Sequence, residues 1–115
     1  MPLPKITAKE LKAQLPALAA GVHRVRLVLS YNADITLKRV TVEGQTVTKW
    51  TPLSGLWYWD KPDQVIAGQL DVTLEAMGGP NGAISLVTVC DSTKCGTINL
   101  TTKNGPAGQE AHYEI

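Results

Sequence analysis

Three consecutive aromatic side chains are the residues whose type and spacing best suit a chemical role. They lie in "SGLWYWDKP", residues 54–62, between a glycine and a proline. On a strand, successive side chains point to opposite faces, so Trp57 and Trp59 share one face and Tyr58 lies on the other. Tryptophan combines a large apolar face with a polar N–H at its rim, which suits a sugar ring, a lipid headgroup region or a partner protein.

Two interpretations of these aromatics stay open. The chain has no phenylalanine, so large core volumes must come from Leu, Ile, Trp and Tyr, which favours tryptophans in the core. In the functional interpretation, Trp57 and Trp59 form a stacking platform that Trp50 extends, while Asp60 and Lys61 supply polar contacts at its rim. The sequence therefore predicts these five residues as a ligand-binding site.

The two cysteines stand close together in "CDSTKC", residues 90–95. If antiparallel strands flank a four-residue loop, Cys90 and Cys95 lie directly opposite each other, about 4.5–5.5 Å apart between Cα atoms, which a disulfide accepts. The spacing predicts a disulfide that stiffens the hairpin tip. It also predicts an extracellular or periplasmic protein whose leader peptide is not in this sequence, with two free thiols in a cytoplasmic protein as the alternative.

The remaining polar residues do not predict a catalytic or metal site. His23 and His112 fall on different predicted strands, and with two cysteines they lack the ligand spacing of a zinc site. No Gly-x-Ser-x-Gly, phosphate-binding loop or HExxH sequence is present. Asp60, Asp63 and Asp71 could converge on a cation, although solvated turn residues are the commoner case. We expect no catalytic residue, no metal and no cofactor.

The composition indicates one folded domain over residues 1–115. Apolar residues make up 43% of the chain and charged residues 18%, and eleven basic and ten acidic residues are scattered along it. Because no basic cluster is present, we expect no nucleic-acid partner. The longest apolar stretch, residues 15–22, is broken by Pro16 and Gly21 and is too short to cross a bilayer.

One helix is predicted, at the N-terminus. Thr7 and Glu10 have the spacing of a capping box, and Ile6 and Leu11 form the accompanying hydrophobic staple. We expect a short helix near residues 8–15 that packs its leucines on a sheet, within a lead-in of residues 1–21.

From residue 22 to the C-terminus, the hydrophobic period is two. A bulge near Lys38-Arg39 resets the alternation, and Glu43-Gly44 makes a two-residue hairpin turn. "MGGPNGA" (77–83) and "KNGPAGQ" (103–109) are predicted loops. Short strands are predicted at residues 22–29, 35–42, 70–76, 83–90, 96–102 and 111–115. The pattern predicts a mainly β fold, an antiparallel β-sandwich of about eight strands of immunoglobulin-like or jelly-roll type, with a barrel second.

Residues 65–115 resemble part of the thaumatin-like proteins. "AGQLDVTLEAMGGPNGAISLVTVC" is similar to their Gly-Gln, strand, Gly-rich turn, strand and Cys pattern, and "CG" at 95–96, Gly-Pro at 105–106 and "AHYEI" are similar to later segments. The resemblance implies a secreted, disulfide-bonded β-sandwich that is carbohydrate-active or defensive. The chain has two cysteines instead of the family's disulfide framework. His112 stands where the family has a glutamate of its acidic cleft, so no glucan-cleaving role is implied.

The small aegerolysin-like cytolysins are a competing comparison of similar length. They are single β-sandwiches with tryptophans near a membrane-binding face, and this chain is similar in a Trp, then Pro62, then a Gly-Gln turn.

These patterns favour a non-catalytic binding or interaction module that uses its aromatic surface and loops. Its predicted ligand is a carbohydrate, a membrane surface or a protein. The alternative is a secreted defence or toxin-like protein that acts on membranes or cell-wall glycans. A further alternative is a small hydrolase whose site the sequence does not place.

Overall fold

The computed structural model describes residues 21–115, which form nine β-strands. The strands are β1 (Gly21–Tyr31), β2 (Ile35–Val42), β3 (Gln45–Thr46), β4 (Thr51–Leu53), β5 (Leu56–Ile66), β6 (Gln69–Gly78), β7 (Gly82–Cys90), β8 (Thr93–Thr102) and β9 (Gly105–Glu114). The mainly β prediction is confirmed. The predicted N-terminal helix lies outside the described residues, and the immunoglobulin-like or jelly-roll assignment stays a prediction.

The strands form two antiparallel sheets. The first has the order β4-β5-β1-β7-β8, and the second has the order β3-β2-β6-β9. β1 is the middle strand of the first sheet and pairs with β5 on one side and β7 on the other. The side chains of a strand alternate between its faces, so each sheet can present one apolar face to the other.

The core lies between these two inner faces. In β1 the predicted alternation is confirmed, since Val25, Leu27 and Leu29 are buried while the residues between them are more exposed. β6 shows the same alternation. The buried apolar residues come from both sheets and are Val25, Leu27, Leu29, Ile35, Val40, Val42, Val47, Ile66, Leu70, Val72, Leu74, Ala76, Ile84, Leu86, Cys90 and Ile98.

The bulge and the hairpin turn that follow Ile35 are also confirmed. The pairing of β2 with β6 shifts register between Leu37 and Arg39, which returns Val40 to the core face. Glu43 and Gly44 have φ of 52° and 78°, the two positive values of a type I′ turn. The turn brings the Val47 N–H to the Val40 carbonyl, 2.8 Å away, and Val47 into the core.

The prediction of a loop over residues 103–109 is wrong for most of its length. β9 begins at Gly105 and pairs with β6 through its whole length, including Met77 with Pro106. Proline cannot donate a ladder hydrogen bond, which excludes it from the middle of a sheet but not from an edge strand. Because β9 is the edge strand of the second sheet, its glycines and proline are compatible with strand structure.

Within residues 21–115, no helical stretch has the length and hydropathy that a bilayer span requires.

Replacing Leu74 with alanine tests the core. Leu74 is fully buried, so Leu74→Ala should lower the free energy of unfolding by about 2–5 kcal/mol. Leu53→Ala is the matched control, because Leu53 is 61% exposed and should change stability by less than about 0.5 kcal/mol. Urea denaturation measures both. Equal effects of the two substitutions would contradict the arrangement of the inner faces.

Candidate functional site

Trp57 and Trp59 lie on the inner face of the first sheet, at its side near the edge. They pair with Leu29 and Leu27 of β1, whose side chains are buried in the core. Both indoles pack against the core, yet both remain half-buried. The tryptophans therefore close the side of the core and still keep surface toward solvent. Tyr58 points to the outer face, opposite Val28.

Trp59 forms one wall of an open cleft between the two sheets. The cleft lies where β5 of the first sheet faces β3 and the segment that follows it in the second, and its volume is about 120 Å³. We call it the Trp59 cleft. Its lining is mostly polar apart from the indole and two valines, and consists of Val42, Gln45, Thr46, Val47, Thr48, Lys49, Trp59, Lys61 and Gln64.

A bulge in β5 places three side chains of that strand in the cleft. Lys61 pairs with Val25 and Gln64 pairs with His23, so the register of the two strands shifts between these pairs. Without an extra residue, side chains three positions apart would point to opposite faces. With it, Lys61 and Gln64 both share the inner face with Trp59.

Asp60 lies outside the Trp59 cleft, on the outer face. The Arg24 guanidinium binds it with two hydrogen bonds, Nε to Oδ1 at 2.9 Å and Nη2 to Oδ2 at 2.7 Å. Hydrogen bonds from Arg24 lower the pKa of Asp60 below its usual value. Of the predicted rim residues, the structure therefore brings Lys61 to the indole and separates Asp60 from it.

Trp50 is half-buried against the core, and its neighbour Lys49 lines the cleft instead. The sequence analysis did not single out Gln45, Thr46, Thr48 or Gln64. In the sequence these residues appear only as polar residues that follow the Glu43-Gly44 turn or, for Gln64, lie near Pro62. Which of them face Trp59 depends on how the two sheets stack, and no local sequence pattern predicts this stacking.

The three aspartates that could have shared a cation do not converge. Asp60 pairs with Arg24, Asp63 lies 3.7 Å from the Lys61 ammonium, and Asp71 accepts from His112 at 2.6 Å. The Asp71–His112 pair lies on the outer face of the second sheet, where Gln69 also donates to Asp71 at 2.7 Å. Each carboxylate thus has a separate partner of its own.

The predicted disulfide is not formed, and Cys90 and Cys95 are free thiols. The prediction required them to face each other across a four-residue loop. The hairpin turn instead has two residues and pairs Cys90 with Thr93, while Cys95 is the extra residue of a bulge in β8. The two thiols remain neighbours, and both line a cavity of about 240 Å³ at this end of the sandwich.

Comparison with protein families, with characterised proteins and with solved structures finds no match to this chain. The resemblances to thaumatin-like proteins and to aegerolysin-like cytolysins stay predictions, as does an extracellular or periplasmic location.

The two thiols should differ in reactivity. Burial raises the pKa of both thiols, but Cys90, which is 5% exposed and beside the Asp91 carboxylate, is raised to about 11, and only Cys95 keeps part of its surface open to solvent. At about pH 8, a thiol reagent should modify Cys95 well before Cys90, because the thiolate is the reactive form. Cys90→Ser and Cys95→Ser each leave one thiol and assign the two rates. If the native protein shows no reactive thiol until a reductant is added, the two cysteines form the predicted disulfide and the free-thiol arrangement is wrong.

The His112–Asp71 pair should make stability depend on pH. The hydrogen bond to Asp71 raises the pKa of His112, and that bond lowers the pKa of Asp71. The histidine contribution is fully present below the unfolded pKa of about 6.5 and is lost as pH rises through the folded value. The melting temperature of wild type relative to His112→Gln should therefore be higher near pH 5.5 than near pH 8.5.

Asp71→Asn is the matched control for that experiment, since it removes the charge that raises the pKa of His112. The double variant should show the same flattened pH profile as either single variant. A wild-type advantage that is independent of pH would contradict the pairing.

Proposed function

We propose that this domain is a non-catalytic binding module that takes a sugar ring of an acidic saccharide into the Trp59 cleft. The observation that carries the proposal is a half-exposed indole at the wall of an open cleft whose other side chains are mainly amides, hydroxyls and ammonium groups. An indole face packs against the C–H face of a pyranose, while polar groups at the rim pair with its hydroxyls.

The size of the cleft supports a single ring as the inserted group. Its volume of about 120 Å³ is below the range of about 300–1,000 Å³ typical of pockets for drug-sized ligands. The rest of a longer saccharide would lie along the rim formed by residues 45–49. Because the indole is already packed against the core, the platform is held in place before the ligand binds, which reduces the entropy cost of binding.

Two lysines give the cleft a preference for negative charge. Lys49 and Lys61 both line it. The Lys61 ammonium lies 3.7 Å from Asp63, a solvent-exposed carboxylate, so the pair is weak enough for a ligand carboxylate or sulfate to compete with it. This arrangement favours uronic-acid or sulfated sugars over neutral ones.

Removing the indole tests the proposed function. Trp59→Ala should weaken binding of a uronic-acid oligosaccharide about tenfold or more, which corresponds to ~1.4 kcal/mol, as measured by calorimetric titration. Tyr58→Ala is the matched control, because Tyr58 is the next aromatic on the same strand but faces outward; it should change affinity by less than about twofold. Trp59→Phe keeps an aromatic ring and separates loss of stacking from loss of folding.

The charge preference is measured in the same titration. Lys61→Gln should weaken binding of the uronic-acid oligosaccharide and leave binding of a neutral hexose oligosaccharide nearly unchanged, and added salt should act in the same direction. If no oligosaccharide binds, or if Trp59→Ala and Tyr58→Ala behave alike, the proposal is wrong. Binding to anionic vesicles in place of oligosaccharides would assign the surface to membranes.

A further inference from the structure

A group of metal-ligating side chains lies at one end of the sandwich. His23, Cys90 and Asp91 each offer one ligand atom, and these atoms all lie within 4.8 Å of one another. Imidazole nitrogen and thiolate sulfur are the donors that zinc and related ions prefer. The three residues are far apart in sequence, because His23 is on β1 while the other two end β7 and begin the following turn.

The register of β1 with β7 builds this group. Val25 pairs with Cys90, so the Cys90 side chain points inward at the end of its strand. His23 is two residues before Val25 and shares that inner face. The turn is tied to β1 by two hydrogen bonds: the Asp91 N–H donates to the Arg24 carbonyl at 2.7 Å, and the Arg24 N–H donates to Asp91 Oδ1 at 3.1 Å.

The imidazole of His23 is held in a fixed orientation. His23 Nδ1 lies 2.8 Å from Asp91 Oδ2. Metal-ligating histidines commonly pair one ring nitrogen with a carboxylate, which fixes the ring and increases the basicity of the other nitrogen. Gly21 lies beside His23 Nε2, and a larger residue there would crowd the imidazole, because a Cβ at this position would lie 3.3 Å from that nitrogen.

A second thiol adjoins the group. Cys95 neighbours Cys90, and the two thiols share the wall of the cavity of about 240 Å³ with Asp91. The cavity gives an ion a route from solvent to the buried Cys90. Both cysteines are free, so both sulfurs are available as ligands.

We propose that His23, Cys90 and Asp91, together with Cys95, bind one thiophilic divalent cation of the zinc class. On binding, each ligating thiol releases its proton to solvent and forms a metal–sulfur bond of about 2.3 Å. Ligand atoms of a tetrahedral zinc site lie less than about 4 Å apart, so side-chain rotations must draw the group closer together. A carboxylate serves such a site either as a ligand or as the acceptor that orients the histidine, and both uses require Asp91.

With Asp91 as a direct ligand, the four protein ligands leave no open position, which is typical of a structural site and not of a catalytic one. The ion would join β1 to the β7–β8 hairpin at its tip. The disulfide predicted from the sequence would only stiffen that hairpin tip, whereas the ion would also tie the tip to β1. The site is distinct from the Trp59 cleft, so either proposal can fail without the other.

Titration of the chelator-treated, reduced protein with Co²⁺ tests the site. We expect one ion per chain, with the thiolate-to-cobalt charge-transfer absorption and the strong visible bands of a tetrahedral cobalt site. Zn²⁺ should displace the cobalt and raise the melting temperature. His23→Gln should weaken Co²⁺ binding at least about tenfold, and Cys90→Ser should remove most of the charge-transfer absorption.

His112→Gln is the matched control, because it removes the other described histidine, which also lies beside carboxylates but on the outer face. It should leave the cobalt spectrum unchanged. Cys90 is buried, so if Cys90→Ser fails to fold, His23→Gln and Asp91→Asn carry the test. Binding without charge-transfer absorption, or binding that His112→Gln reduces as much as His23→Gln does, overturns the proposal. Unchanged affinity in Cys95→Ser removes Cys95 from the ligand set.

Discussion

The register of β1 with its two neighbours is the constraint on which both candidate sites depend. Paired residues of adjacent strands share a face, so Trp59, which pairs with Leu27, lies on the inner face. Lys61 and Cys90 both pair with Val25 and lie on the same inner face. A slip of one residue would move all of these side chains to the outer face and expose the core. The apolar alternation of β1 therefore fixes the core and, through pairing, also fixes where the reactive side chains point.

The absence of phenylalanine explains why the indoles have two uses. Leucine, isoleucine and valine fill the middle of the sandwich, while half-buried tryptophans close the side of the inner space beside β3. An indole is wide enough to cover core residues and still present part of its surface to solvent. Trp59 is thus held by packing, and the same packing aims its exposed part into the cleft.

Local patterns were enough to predict most of the strands, the bulge near Lys38 and the turn at Glu43-Gly44. The hydrophobic period of a strand, the residues of a turn and a shift in the alternation all depend on neighbouring residues in the sequence. The first part of β9, residues 105–110, was missed, since glycine and proline indicate a loop unless the strand is known to be at an edge. The thiols were assigned a direct pairing across a four-residue loop, which the two-residue turn prevents by pairing Cys90 with Thr93. The Trp59 cleft and the His23 group could not be predicted, because each joins residues whose proximity depends on sheet order and stacking.

Polar side chains gather toward the same end of the inner face for a physical reason. In the middle of β1, the inner residues Val25, Leu27 and Leu29 are apolar, because an unpaired polar group that is buried loses its hydration. Toward the start of β1, the inner positions hold His23 instead of leucine, and its neighbour on β5 is Gln64. Near His23 the apolar core ends, with the Trp59 cleft on one side and the cavity lined by Cys90 and Cys95 on the other. The turn at Asp91 supplies a hydrogen-bond partner to His23, and both cavities are open to solvent, so polar side chains can face inward without the cost of full burial.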